Sequence, residues 1–138
     1  MTKDIWINLP VKDVNKSKAF FSQLGFEFNL AHSKDEVSAC MLIGKKNVVV
    51  MLFAETIFRG FVRSEISNPG LGSEVLFSFD GESREEVDTM AKKVEAAGGI
   101  IFGKPAEVQG WMYGFGFADP DGHKWNMIYM DESKLPKQ

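Results

Sequence analysis

Apolar positions in the first half of the chain switch between the spacing of strands and the spacing of a helix. Four runs rich in β-branched and aromatic residues predict strands, at residues 5–11, 26–30, 37–43 and 48–53. After the first run, apolar residues fall three and four apart between Asp13, a suitable N-cap, and Gly25, a suitable stop. The predicted order is a strand, a helix, a strand and a two-stranded hairpin.

The second half repeats that order with different side chains. Strand-like runs lie at residues 74–79 and 100–102, and a closing hairpin spans residues 112–117 and 125–130. Ser83 and Glu86 form a capping box, apolar residues follow it at helical spacing, and Gly98 and Gly99 end the helix. The DPDG sequence at residues 119–122 predicts the turn of the closing hairpin.

The two sets of elements predict an α+β fold made of two tandem βαβββ modules. Neither module can bury its sheet alone, so we expect one curved mixed sheet with the helices outside. The predicted organisation is a single domain, residues 1–138, with module 1 at about 1–53, a connecting segment at about 54–71, module 2 at about 72–131 and a C-terminal tail at 132–138. The concave inner face of such a sheet is the natural place for a ligand.

The connecting segment carries large apolar residues although it separates two modules. Ile57, Phe58, Phe61 and Val62 have helical spacing, and the NPG sequence at residues 68–70 ends the pattern. Two interpretations follow. The segment is either a lid or wall over a pocket, or a crossover that Phe58 and Phe61 anchor to the core.

Composition and charge narrow the classes of partner that this protein is expected to bind. A chain of 138 residues with 44% hydrophobic and 25% charged residues is typical of one globular domain. The net charge of -3 is opposite to that of nucleic-acid-binding proteins, so nucleic acid is not an expected partner. No apolar run is long enough for a membrane span and no signal sequence is visible, which predicts a cytoplasmic protein. Cys40 is the only cysteine and is predicted to be a buried thiol.

Three stretches resemble the vicinal oxygen chelate superfamily, which includes glyoxalase I, extradiol dioxygenases, fosfomycin-resistance enzymes and bleomycin-resistance proteins. They are IWINLPVKDVNKSKAFFSQLGFEF, SREEVDTMAKKVEAAGG and FADPDGHKWNMIY, which begin at residues 5, 83 and 117. NLPVKD, MLFAETIF and GHKWNMIYMD also resemble a narrower glyoxalase-like branch, the predicted lactoylglutathione lyases. The resemblance implies the duplicated fold described above and a homodimer.

The resemblance also implies four inward positions for a divalent metal, usually filled by His or Gln, Glu, His and Glu. In this chain they correspond to Trp6, Met51, Glu74 and Asn126. Only the Glu74 carboxylate is a strong ligand for such an ion, because indole does not coordinate and thioether and amide groups bind hard cations weakly. We therefore expect no metal or other cofactor of the usual kind. His32 and His123 are the candidate substitute ligands.

The alternation of side chains along strands, combined with the resemblance, predicts an aromatic small-molecule pocket. Its candidate ligand-binding residues are Trp6, Asn8, Met51, Phe53, Glu74, Trp111, Tyr113 and Asn126, with Leu76 beside them. The alternative is that these are core residues of a curved sheet. Glu74 is the candidate catalytic residue, as a proton carrier or as an anchor for a cationic ligand, although a surface salt bridge would also explain it.

The sequence leaves two functions open. In the first, the protein binds a small molecule without chemistry, as bleomycin-resistance proteins do in metal-free grooves. In the second, it is a lyase or isomerase-type enzyme with a modified metal site and Glu74 as the base. The missing metal ligands favour the first function, and the resemblance to the glyoxalase-like branch favours the second.

Overall fold

The computed structural model describes residues 1–135 and divides the chain into two compact units, Met1–Asn68 and Pro69–Gln138. The first unit contains six main elements: β1 (Ile7–Val11), α1 (Val14–Gln23), β2 (Glu27–Phe28), β3 (Ser38–Ile43), β4 (Val48–Ala54) and α2 (Glu55–Val62). Its strands form a mixed sheet, sheet 1, in the order β1-β4-β3-β2. β1 runs parallel to β4, and the other neighbours are antiparallel.

Helix α1 covers one face of sheet 1 and forms the core of this unit. It begins at Asp13, whose side chain accepts a hydrogen bond from the backbone N–H of Lys16 at 3.0 Å. Lys18 of the helix lies over the ring of Phe28 in β2, which identifies the covered face. The buried residues of this core are Leu9, Val11, Val14, Ser17, Phe20, Phe21, Leu24, Ala39, Met41, Val50 and Leu52.

The second unit repeats the arrangement. Its elements are β5 (Leu76–Asp80), α3 (Arg84–Ala96), β6 (Ile100–Val108), β7 (Met112–Ala118) and β8 (Lys124–Met130). They form sheet 2 in the order β5-β8-β7-β6, with β5 parallel to β8. A short 3-10 turn, Glu132–Lys134, follows, and the remainder of the predicted tail, residues 136–138, lies outside the described residues.

Helix α3 covers one face of sheet 2. Its predicted capping box is present, because the Glu86 backbone N–H donates to Ser83 Oγ at 3.1 Å and the Glu82 backbone N–H donates to Glu86 Oε2 at 2.8 Å. The apolar side of the unit consists of Val87, Ala91, Val94, Phe115, Phe117, Trp125 and Met127, all of them buried. Within residues 1–135, no helix is both long enough and apolar enough to cross a bilayer.

The predicted order of elements is confirmed, with two four-stranded mixed sheets and three helices. Several strand boundaries differ; β1 begins at Ile7 and not at residue 5, and β2 is confined to Glu27–Phe28. β5 begins at Leu76 and not at residue 74. β6 extends to Val108, well past the predicted end at residue 102. It is one of the two edge strands of sheet 2, and edge strands tolerate a proline such as Pro105.

Candidate functional site

The face of sheet 1 opposite α1 carries two rows of paired residues. Each row contains one residue from each of the strands β1, β4 and β3. Side chains alternate along strands, so both rows point to the same side, which we call the open face of sheet 1. The rows are Asn8, Met51 and Cys40, and then Pro10, Phe53 and Ser38. The structure therefore brings together three predicted ligand-binding residues, Asn8, Met51 and Phe53. Trp6 lies one residue before β1, and 58% of its surface is exposed.

The open face of sheet 1 is almost free of charge. The four strands of this sheet contain a single charged residue, Glu27. Glu27 pairs with Leu42, two strands away from β4 and four positions along from the row of Phe53. Strand spacing puts it about 15 Å from Phe53. Aromatic, thioether and amide groups thus dominate the chemistry of this face.

Helix α2 follows β4 directly and lies against β1 and β4. Phe61 of the helix meets Phe53 on the open face edge-on, with ring centroids 5.0 Å apart and an angle of 85° between the rings. Although Phe61 makes this contact, 61% of its surface is exposed, and α2 contains no buried residue. The predicted helical pattern of this segment is correct, and Phe61 attaches the helix to the sheet.

The ends of α2 are weakly fixed. Its N-cap position is Ala54, which makes no side-chain capping hydrogen bond. Its C-cap, Arg63, has a positive φ of 55° that most side chains adopt at a cost. A helix of eight residues with such ends depends on its packing for stability.

The open face of sheet 2, opposite α3, has a different character. Ser78, Asn126 and Gly116 lie side by side on β5, β8 and β7. The ring of Phe102 covers Gly116 so closely that a Cβ there would lie 2.5 Å from the Cε1 atom of Phe102. Among the described residues, Asn126 Oδ1 is buried and has no hydrogen-bond partner. A buried acceptor of this kind is costly unless a donor reaches it.

Glu74 does not lie on a strand. It occupies a bend two residues before β5 and is exposed. The β5 residue paired with Asn126 is Ser78, four positions further along the chain. Lys124 of β8 secures the loop next to Glu74, since its Nζ donates to Ser73 Oγ at 2.6 Å. The structure therefore does not place Glu74 level with Asn126.

Tyr113 points to the helix-covered side of sheet 2 and not to the side of Asn126. β7 and β8 pair Phe115 with Met127, so odd-numbered residues of β7 share a face with the buried odd-numbered residues of β8. The Tyr113 hydroxyl donates to Asp88 Oδ1 of α3 at 2.6 Å, and this hydrogen bond raises the pKa of Tyr113. The sequence predicts Tyr113 and Asn126 on the same face of the sheet, but the observed register places them on opposite faces.

Trp111 lies one residue before β7 and is half-buried. Its backbone carbonyl accepts a hydrogen bond from the Asp131 N–H at 2.8 Å, which joins the start of β7 to the end of β8. Its indole Nε1 is buried and has no hydrogen-bond partner within residues 1–135. An unpaired buried donor carries the same kind of cost as the unpaired Asn126 acceptor.

The DPDG turn holds a buried carboxylate. Asp119 is 5% exposed, and it accepts hydrogen bonds from the backbone N–H groups of Asp121 and His123, each at 3.0 Å, and from Trp125 Nε1 at 3.1 Å. Burial raises the pKa of Asp119, while His123 and the three hydrogen bonds oppose that shift. The role of this turn is to fix Trp125 in the core of the second unit.

The four family metal positions do not carry a ligand set that fits a divalent ion. Trp6 offers an indole, Met51 a thioether and Asn126 an amide, and Glu74 lies in an exposed bend. His32 lies in an exposed 3-10 turn, and the backbone N–H of His123 donates to Asp119 of the DPDG turn. In the part of the chain that the structure describes, no three His, Cys, Asp or Glu side chains are grouped as a metal site.

Cys40 lies on the open face of sheet 1 but is only 3% exposed. Burial raises the pKa of its thiol above the ordinary value of 9.0, so the reactive thiolate is disfavoured. Its backbone is fixed on both sides, because its N–H donates to Ser33 Oγ at 3.0 Å and its carbonyl accepts from Asn29 N–H at 2.9 Å. The predicted buried thiol is confirmed.

Comparison with known proteins identifies the fold. The model of the Glyoxalase/Bleomycin resistance protein/Dioxygenase superfamily matches residues 5–127. A hypothetical protein of S. aureus, SA1046, is 32% identical, with a TM-score of 0.83 and coverage of 94% of this chain and 95% of that one. Comparison with curated protein sequences gives no match.

Two more distant solved structures share the fold. A glyoxalase/bleomycin resistance protein/dioxygenase family enzyme from Burkholderia phytofirmans is 20% identical, with a TM-score of 0.77 and coverage of 91% and 96% of the two chains. A mutant of the fosfomycin resistance protein FosX from Listeria monocytogenes, complexed with Mn(II) and 1S,2S-dihydroxypropylphosphonic acid, is 22% identical, with a TM-score of 0.67 and coverage of 92% and 90%.

Proposed function

Because the chain belongs to the Glyoxalase/Bleomycin resistance protein/Dioxygenase superfamily, we propose that it binds a small molecule without the usual divalent metal. The observation that carries this proposal is the open face of sheet 1, where half-buried Met51 and Phe53 and exposed Asn8 form an uncharged surface beside α2. Apolar and aromatic surface with few polar groups is typical of small-molecule sites.

Relatives and donor chemistry support different parts of the proposal. The Listeria FosX mutant holds a small phosphonate together with Mn(II), so this fold accommodates small ligands. A metal site like that of FosX is not proposed for this chain, because indole, thioether and amide groups replace three of the four expected metal ligands. These side chains therefore favour binding without metal. We further propose that the protein is a cytoplasmic homodimer, as its sequence and the family resemblance imply.

An enzyme of the lyase or isomerase type, using Glu74 as a base, is the second candidate. Its support is the glyoxalase-like resemblance of the sequence. Glu74 is exposed in a bend and four positions from the residue paired with Asn126, which does not favour a shared reaction centre. A base needs to lie within hydrogen-bond reach of the proton that it removes.

A thermal-shift screen of uncharged and charged small molecules tests the binding function. The wild type is compared with Met51→Lys, which places a charge in the centre of the open face of sheet 1, and with Met130→Lys, a matched change at the end of β8, where the methionine is 50% exposed. A ligand at a hundred times its Kd stabilises by about 2.7 kcal/mol. For a chain of this size that raises Tm by roughly 5–10 °C.

We expect at least one compound to stabilise the wild type and Met130→Lys but not Met51→Lys. Equal stabilisation of all three proteins would place binding elsewhere, and no stabilisation by any compound would oppose a binding function. Turnover of methylglyoxal hemithioacetal that requires Glu74, compared between the wild type and Glu74→Gln, would instead establish the enzyme.

A further inference from the structure

Phe53 and Phe61 form an aromatic corner whose two rings stand almost at right angles, beside Met51 and Pro10 on the open face of sheet 1. We propose that this aromatic corner selects an uncharged, planar aromatic ligand and that Phe61 is the specificity-determining residue. The proposal rests on the binding function above and deepens it, because it names the ligand class.

The rings of the corner have free surface for a third ring. Phe61 is 61% exposed although it touches Phe53, and its neighbours on α2, Ile57 and Val62, are 37% and 45% exposed. An amphipathic helix normally buries its apolar side, so this one leaves hydrophobic surface uncovered. Offset or edge-on contact between aromatic rings contributes about 0.5–1.5 kcal/mol beyond burial, and a thioether such as Met51 adds favourable contact with ring edges.

The charge around this corner disfavours an ionic ligand, because the strands carry little charge and Arg59 of α2 already pairs with Glu65 at 3.5 Å. Glu27, about 15 Å away by strand spacing, is the single charge on the strands of sheet 1. An ion moved onto these strands would lose hydration, and of the two charged residues of α2, Glu55 and Arg59, the second already has Glu65 as its counter-charge. Asn8, exposed and paired with Met51, supplies one amide for a polar substituent at the rim of the ligand. The matching ligand is therefore flat, neutral and mainly apolar.

Two fluorescent probes with the same ring system test the charge preference. N-phenyl-1-naphthylamine is uncharged, and 8-anilinonaphthalene-1-sulfonate carries a sulfonate on that framework. Fluorescence titration should show tight binding of the neutral probe by the wild type and at least about tenfold weaker binding of the anionic probe. A competition with 1-adamantanol, which is neutral but not planar, should leave the bound neutral probe in place.

Phe61→Leu tests the specificity residue, because it keeps apolar bulk and removes the ring. The neutral probe should bind about 3- to 10-fold more weakly to this variant. Phe28→Leu is the matched control, since Phe28 is a half-buried phenylalanine on the α1-covered face of the same sheet, under Lys18. Its probe affinity should equal that of the wild type. Circular dichroism of both variants confirms that the helices are intact.

Several outcomes would overturn the proposal. Equal affinity for both probes removes the charge selection, and displacement by 1-adamantanol removes the selection for a planar ligand. If Met51→Lys abolishes probe binding and Phe61→Leu does not change it, the binding function stands and the role of Phe61 is lost. If Phe61→Leu changes the sedimentation coefficient and not the probe affinity, the corner is covered by a second copy of the chain.

Discussion

The indole of Trp125 donates a hydrogen bond to the buried carboxylate of Asp119 across 3.1 Å, so the turn before β8 is tied to the largest side chain in the core of the second unit. Trp125 also contacts the ring of Phe77, with centroids 4.8 Å apart. One carboxylate thus links turn geometry to core packing.

Asp119→Ala should lower the free energy of unfolding by roughly 2–4 kcal/mol at neutral pH, because it leaves two backbone N–H groups and the buried Trp125 indole without their acceptor. Urea denaturation followed by tryptophan fluorescence measures the change. Asp121→Ala, in the same turn, is the control and should cost much less, since the backbone N–H that Asp121 donates to Asp119 is retained in that variant. Equal costs for the two variants would contradict the role given to the Asp119 carboxylate.

The contribution of Asp119 should depend on pH in a defined direction. Its folded-state pKa is raised above the ordinary 3.8, so the folded protein binds this proton more tightly than the unfolded chain does. The resulting stabilisation is complete below pH 3.8 and is lost as pH rises through the folded-state pKa. The difference in unfolding free energy between the wild type and Asp119→Ala should therefore be larger below pH 3.8 than at neutral pH. A smaller difference in acid would show the opposite sign of the pKa shift.

Two glycine substitutions should have opposite effects on stability. A Cβ at Gly114 would lie 2.6 Å from the backbone oxygen of Met127, which cannot move away without disturbing the pairing of β7 and β8, so Gly114→Ala should cost at least about 1–3 kcal/mol. A Cβ at Gly60 in α2 meets nothing within 4 Å, so Gly60→Ala should stabilise by about 0.5–1 kcal/mol. Thermal unfolding of both variants checks the two signs, and a stabilising Gly114→Ala would contradict the packing of β7.

Tyr113→Phe should leave ligand binding unchanged, because the Tyr113 hydroxyl bonds to Asp88 of α3 on the covered side of sheet 2. The loss of this exposed hydrogen bond should cost less than about 1 kcal/mol. Titration with the neutral naphthylamine probe, with Met51→Lys as the variant expected to fail, checks the prediction. A loss of probe affinity in Tyr113→Phe would show that Tyr113 is part of the binding surface.

Purified protein should contain far less than one divalent ion per chain, and added Ni²⁺ or Zn²⁺ should not raise its Tm. The reason is the set of indole, thioether, exposed carboxylate and amide at the expected positions, which offers one strong ligand. Elemental analysis and thermal unfolding with added metal measure both quantities. Stoichiometric metal would show that other side chains provide the ligands.

The order of elements could be predicted from the sequence because its signals are local. Asp13 and the pair Ser83 and Glu86 act within one helical turn, and the structure shows their capping hydrogen bonds. The spacing of Phe58 and Phe61 likewise predicted α2. These features depend on neighbouring residues and not on distant partners.

Register could not be predicted in the same way, because it is set between strands. One residue of slip moves a side chain to the other face of a sheet, and this is the difference between the expected and observed sides of Tyr113. The strand-like run at residues 74–79 predicts Glu74 on a strand, but the structure has a bend at Glu74 and β5 begins at Leu76. Asn8, Met51 and Phe53 share a face as expected, since β1 and β4 pair without irregularity.

β6, one of the two edge strands of sheet 2, affects the tendency of the protein to aggregate at high concentration. β6 carries Lys104 and Pro105 at its middle, and its pairing with β7 shifts register on both sides of Gly103. A proline, a lysine and local bends make a poor template for another chain, so intermolecular strand addition is discouraged at this border although Ile100 and Phe102 are exposed there. We expect that replacing Pro105 and Lys104 with β-branched residues would allow another chain to add to β6 and would promote fibril formation.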